Sequence, residues 1–236
     1  VTQRQCERAA SLIGLDVCGI DLVTSDISQP LDGGILELNA SPGLRMHVAP
    51  SEGQARDVGG HIVDTLFPPG ATGRIPVCAV TGTNGKTTVT RLVGHLMAQT
   101  GERVGMTTTD GIHIGGDLVR VGDLTGAASA RTVLSDPTVG VAVLETARGG
   151  IFRRGLGYDW SDVGVITNIT ADHLGQDGLE TLEDLVWIKS LVAERVRDGG
   201  TLVLNADDPG AMQVVGRAWV DVQRLELVLF ALEPGT

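Results

Sequence analysis

Residues 80–88, VTGTNGKTT, decide the fold: two glycines, a lysine and four threonines follow directly on the apolar run Val77-Cys78-Ala79-Val80. Beyond Lys86 the apolar residues Val89, Leu92, Val93, Leu96 and Met97 recur at the spacing of one helix face. The stretch therefore predicts a strand, a glycine-rich loop and a helix. That arrangement aims free backbone N–H groups and the positive end of the helix dipole at one point, where a phosphate fits. Within Gly82-Thr83-Asn84-Gly85 the two glycines let the backbone approach the anion closely. Lys86 adds a point charge, and Thr87 or Thr88 offers a hydroxyl to Mg2+. The longer phosphate-loop pattern has a glycine where this chain has Val80, so the loop is a shortened G-x-x-G-K-T. Such a loop serves kinases, switches and ligases alike.

Downstream, short apolar runs alternate with helical patterns: VCAV, a helix from Thr87, VGVAVLE, VGVITN, a helix from Thr181 and GTLVLN. The alternation predicts an α/β fold with a doubly wound, mostly parallel sheet covered on both faces. Ligands gather at the carboxyl ends of such strands, and the remaining polar clusters stand there. Glu145 ends one strand, either as a Mg2+ ligand or as an ordinary strand-ending acid. Asn168, Asp172 and His173 follow the next. Hard cations favour oxygen, so His173 reads either as a loop histidine or as a ligand. Lys189 falls in the apolar stripe Leu182, Leu185, Val186, Val192 and Val196. An inward ammonium must snorkel to water or find a partner.

Upstream, VCGIDLV and GILELN flank a polar turn at Ser25 to Gly34 and predict an antiparallel hairpin. A helix precedes it, and another is expected from about Glu52 to Leu66. PPGATGRIP has the composition of a linker, which sets the expected domains at 1–67 and 76–236 with 68–75 between them. The chain opens without methionine in what reads as mid-helix, so a piece of a longer protein is expected.

With 236 residues, 42% of them hydrophobic, the chain can fill a sizeable core. A net charge of -11 argues against nucleic acid as the main partner, because phosphate backbones need a basic face. Cys6, Cys18 and Cys78 show no paired spacing and read as reduced and buried. No apolar run approaches the ~20 residues that span a bilayer. A cytoplasmic location without a membrane partner is expected.

TGTNGKTT, ETARGG, NITADHL, the inward Lys189 and LVLNADDP, in that order, resemble the ATP-binding central domain of the Mur ligase superfamily, which includes folylpolyglutamate synthetase. TTTDGIHIGG and ETARGGIFRRGLGYDW are most similar to the cyanophycin synthetase family. CGIDLV followed by GGILELNASPGLRMH resembles the closing part of an ATP-grasp domain, and that family joins the two modules in this order. The resemblance implies that Lys86 and the loop amides bind ATP phosphates, with Thr87, Glu145 and His173 on Mg2+. It implies that Asn168 and Asp172 order the site, and that Asn205 and Asp208 close the nucleotide pocket. Lys189 matches a lysine that several Mur ligases carbamylate. Asp21, Glu37 and Asn39 match the ATP-grasp metal ligands; Glu37 and Asn39 alternate along one strand and so point the same way.

The activity so implied is amide ligation. Each module phosphorylates a carboxylate with ATP, and an amine attacks the acyl phosphate. One site extends an aspartate backbone and the other joins arginine to its side chains, on an acidic polypeptide primer, in an enzyme expected to be a homo-oligomer. Arg148, Arg153 and Arg154 either receive those carboxylates bidentately or form a solvated basic turn. The first part of the ATP-grasp domain and the last Mur domain are missing from the sequence, so the chain by itself is expected to bind ATP without turnover. The rival readings are another Mur-type ligase acting on a cell-wall precursor or folate, a non-catalytic nucleotide-binding module, and a small-molecule kinase.

Overall fold

The computed structural model describes residues 2–172, 174–175, 178–217 and 219–232. The chain divides into two compact units, Val1–Arg74 and Ile75–Thr236. In the first, helix α1 (Thr2–Ile13) leads to strands β1 (Gly19–Val23) and β2 (Gly34–Asn39), which form the expected antiparallel hairpin. The short helix α2 (Arg45–Val48) and helix α3 (Val58–Leu66) follow. The expected helical start near Glu52 lies six residues too early. Gly53 takes φ +93°, and Asp57 caps α3 by accepting from Gly60 N at 2.8 Å.

The second unit runs β3 (Val77–Thr81), α4 (Lys86–Ala98), β4 (Val104–Thr107), β5 (Gly111–Ile114), β6 (Asp117–Val121), α5 (Ala127–Leu134), β7 (Val141–Glu145), α6 (Arg148–Arg154), β8 (Ser161–Ile166), α7 (Leu182–Glu194), β9 (Val196–Asn205), α8 (Pro209–Met212) and β10 (Glu226–Phe230). Its eight strands lie in the order β10-β9-β8-β3-β7-β4-β5-β6. They pair in parallel except at β5 and β6, which add an antiparallel hairpin beside β4. This is the mostly parallel α/β architecture the sequence predicts.

Alternate side chains of the strands feed two faces. Val77, Ala79, Ala142, Leu144, Ile166, Leu202 and Leu204 point toward α5 and α7, where Tyr158 packs against both clusters. Val80, Val141, Val143 and Val165 face α4. The buried side of α4 differs from the apolar stripe read in the sequence. Val89, Val93 and Met97 pack on the sheet, with Thr90 and Gly94 buried between them, whereas Leu92 and Leu96 are more than half exposed. Gly94 explains the rotation: a Cβ there would overlap Met106 Sδ, so the helix comes down on its smallest residue. Val196, placed in the α7 stripe from sequence, begins β9 instead. Among the described residues no helix is long and apolar enough to cross a membrane.

The assignment of faces has a direct consequence. Ile166→Ala, at a position with no exposed surface, is expected to cost about 2–5 kcal/mol in urea denaturation. Leu92→Ala is expected to change stability by no more than about 0.5 kcal/mol.

Candidate functional site

The parallel register brings three strand ends to one place. Val80 lies opposite Glu145 of β7 and opposite Val165 of β8, and Thr81 lies opposite Ile166. The loop leaving β3 is therefore flanked by Glu145 on one side and by residues 167–172 on the other. Gly85 caps α4 with φ +83°, a left-handed conformation natural to glycine. At Gly82 a Cβ would overlap Thr167 Oγ1.

The β8 loop holds the glycine-rich loop by hydrogen bonds. Asn168 grips Asn84 at both ends: Asn84 N donates to Asn168 Oδ1 at 2.9 Å, and Asn168 Nδ2 donates to Asn84 O at 3.1 Å. Thr83 N donates to Asn168 O at 2.8 Å, Thr167 Oγ1 to Asn84 O at 2.6 Å, and Thr170 N to Thr83 Oγ1 at 3.0 Å. Ile169 N in turn donates to Asp208 Oδ1 at 2.9 Å, and the same oxygen caps α8 through Ala211 N at 2.7 Å. Asn205 Oδ1 accepts from Asp207 N at 3.0 Å. Neither Asn205 nor Asp208 lines the cavity at the glycine-rich loop.

Glu145 is 1% exposed. Its Oε1 accepts from Thr87 Oγ1 at 3.1 Å and its Oε2 from Thr109 N at 3.2 Å. Burial pushes its carboxyl up, against the downward pull of those two bonds. Burial likewise lowers Lys86, opposed by the charges of Glu145 and Asp123; its Nζ donates to Thr83 O at 2.9 Å. Thr88 is exposed.

Lys189 is 3% exposed and does not snorkel: its Nζ donates to Gly82 O at 2.7 Å. Burial, with the like charges of Lys86 and Arg148 adding to it, brings its pKa down from 10.5 to about 7. A cavity of about 290 Å3 is lined by Gly82, Thr83, Lys86, Arg148, Asp172 and Lys189 together with Thr109 and Asp123. Beside it a cavity of about 460 Å3 runs along α6 and the start of α5, where Arg148, Arg153 and Arg154 project from a helix rather than from a turn. His173 lies outside the described residues.

In the first unit Asp21 stands opposite Glu37 across the hairpin, and Asn39 Nδ2 donates to Asp21 Oδ2 at 3.3 Å. The hairpin thus brings the three predicted ligands together on one half-buried strand pair. Among the described residues no group of three or more His, Cys, Asp and Glu side chains is placed to hold a metal. A cation here would draw on Asn39, and one at the glycine-rich loop on Thr87.

Sequence reasoning missed Thr109, Thr167 and Asp123. Thr109 and Asp123 belong to the β5–β6 hairpin and its flanks, whose short strands carry no strong pattern. Thr167 sits inside TNIT, where its neighbour Asn168 draws the attention.

The Mur ligase middle domain matches residues 80–233. The cyanophycin synthetase of Synechocystis sp. is 53% identical over 231 residues, 97% of this chain and 26% of that protein. That of Trichormus variabilis is 58% identical over 205 residues, 86% of this chain and 23% of that protein. The chain thus spans about a quarter of the length of these curated relatives. A solved UDP-N-acetylmuramoyl-L-alanyl-D-glutamate–2,6-diaminopimelate ligase superposes with a TM-score of 0.56 at 26% identity, covering 69% of this chain and 33% of that one.

The depressed lysine makes stability depend on pH. Between about pH 7 and 10 the unfolded chain binds a proton at Lys189 that the folded chain does not, so unfolding free energy rises with pH across that window and is flat below it. Denaturant titrations of the parent and of Lys189→Met at several pH values are expected to show that the variant loses this contribution to the slope. A second expectation concerns packing. A Cβ on Gly210 would overlap the Ile169 carbonyl oxygen, so Gly210→Ala is expected to cost about 1–3 kcal/mol in the same assay by displacing the β8 loop.

Proposed function

The chain belongs to the Mur ligase family, and from that membership and the site's geometry we propose that it carries the ATP-binding centre of an amide ligase working through an acyl phosphate. One observation carries the reading: Lys86, Thr87 and Glu145 meet at the glycine-rich loop, and the cavity there opens on two further cations, Arg148 and Lys189. A triphosphate lies along the loop, its charge met by Lys86 and by the N-terminal amides of α4. The α6 arginines receive the acceptor carboxylate and hold it toward the terminal phosphate. Transfer of that phosphate activates the carboxylate, and an amine then displaces it. The protein's part is alignment and charge neutralisation.

Magnesium suits the donors at this place. Thr87 Oγ1 and Glu145 Oε1 are hard oxygens 3.1 Å apart, and the carboxylate is buried beside a cationic loop. Those two residues would hold it, and when bound it would neutralise charge on the phosphates. Lys189, with a pKa of about 7, is in part an uncharged amine at neutral pH. It can then add CO2 and become a carbamate, which turns a cation of the cavity into a further oxygen donor. The trio Asp21, Glu37 and Asn39 belongs, on this reading, to a second ATP site of the ATP-grasp kind. On this reading the substrates are aspartate, arginine and an acidic polypeptide primer, the set implied by the resemblance of the chain's motifs.

The test is ADP release by the protein as its gene encodes it, supplied with ATP, magnesium, a poly-aspartate primer, aspartate and arginine. Primer-dependent release with arginine appearing in amide linkage by mass spectrometry is the expected result. Lys86→Met is expected to lower it about 100- to 1,000-fold. A stable phosphorylated product would identify a kinase instead.

A further inference from the structure

The two cavities share a wall. Asp123, Ala147, Arg148 and Gly149 line both the space at the glycine-rich loop and the space along α6. The charges around that wall are largely positive: Lys86 and Lys189 on one side, Arg153 and Arg154 on the other, Arg148 between. Such a set suits two anions brought face to face and repels a reactant that arrives as an ammonium. A ligase needs that third reactant.

Among the described residues Asp123 is the one carboxylate that lines both cavities. Asp172 lines only the first, and Glu145 is buried with Thr87 and Thr109 on its oxygens. Asp123 is exposed and rigidly placed. Its neighbours on either side are tied to the segment that carries Thr109, by Gly122 N to Asp110 O at 3.0 Å and by Leu124 N to Thr108 O at 3.2 Å. Thr125 Oγ1 donates to its Oδ1 at 2.8 Å. A carboxylate accepts about four hydrogen bonds, so room remains for an ammonium.

We propose that Asp123 docks the amino group of the incoming substrate at the wall where phosphate and carboxylate meet. This rests on the ligase reading above. In the step itself Asp123 takes a proton from the ammonium, the nitrogen lone pair so freed forms the C–N bond, and the acyl C–O bond breaks with its electron pair leaving on phosphate. Of the two protons the ammonium sheds on becoming an amide, one passes to Asp123 and one to the departing phosphate. The negative charge of Asp123 thus offsets, at one point, the cations that serve the other two reactants.

Hydroxylamine, uncharged at neutral pH, traps acyl phosphates as hydroxamates and needs no anionic dock. In the protein as its gene encodes it, Asp123→Asn is expected to lower the ratio of amide formation from arginine to hydroxamate formation about 10- to 100-fold, the worth of one charge-assisted hydrogen bond. Asp123→Glu is expected to recover part of that ratio. An unchanged ratio, whether both rates fall together or neither falls, overturns the assignment; a common fall would place Asp123 with the nucleotide. Absence of ATP-dependent hydroxamate from the unmutated protein would sink the ligase reading, and this inference with it.

Discussion

The grip of Asn168 on the main chain of Asn84 is the constraint on which the site depends. A glycine-rich loop has no hydrophobic contacts of its own to fix its path, and each glycine adds freedom that folding must remove. Here the path is fixed from outside. Asn168 satisfies both the N–H and the C=O of Asn84, and Thr167 shares the carbonyl. Asp208 then fastens the gripping loop to α8. The chain of contacts runs from the loop after β3, through the loop after β8, to the helix after β9. Only parallel strands in adjacent positions bring those three loops to one edge.

Around that fixed loop the sheet collects charges that would be costly singly. Glu145 and Lys189 are both almost fully enclosed. Each is made tolerable by local bonds: the carboxylate by Thr87 and Thr109, the amine by a carbonyl of the loop itself. Their ionisation is shifted in the direction burial dictates, toward the neutral form in both cases. Groups so poised are stabilised when an ion of opposite sign arrives. Two groups with ionisation perturbed by burial beside one cleft mark that cleft as a candidate binding centre.

The parts of this arrangement that could be read from sequence are those with strong local grammar. Strand, glycine loop and helix announce themselves in VTGTNGKTT, and Glu145 and Asn168 follow from their places at strand ends. Lys189 stands out because it interrupts an apolar stripe. The illegible parts are of three kinds. The β5–β6 hairpin has short strands, and all of β6 is exposed, so no periodicity marks it. Helix α6, RGGIFRR, carries two glycines in seven residues and owes its place to burial of Ile151 rather than to propensity. The inward face of α4 departs from its apolar stripe because a glycine, not a leucine, sets the closest approach to the sheet. In each case the deciding contact is distant in sequence, and a pattern of period two or 3.6 cannot register it.

The net charge of -11 poses a question that the site's layout answers. A chain with this excess of acid should repel phosphate and carboxylate at long range, yet the screening length is about 8 Å at physiological salt. Beyond that distance the overall charge counts for little, and within it the local set decides. At the carboxyl edge of the sheet that set is Lys86, Lys189 and the three arginines of α6, held in two adjoining cavities. The acidic surface elsewhere does not weaken it. A strongly basic surface would attract polyanions to many places at once, whereas a basic cleft in an acidic body gives them one favourable destination. Within that set Asp123, at the shared wall, lies close enough to act on the ionisation of both Lys86 and Glu145.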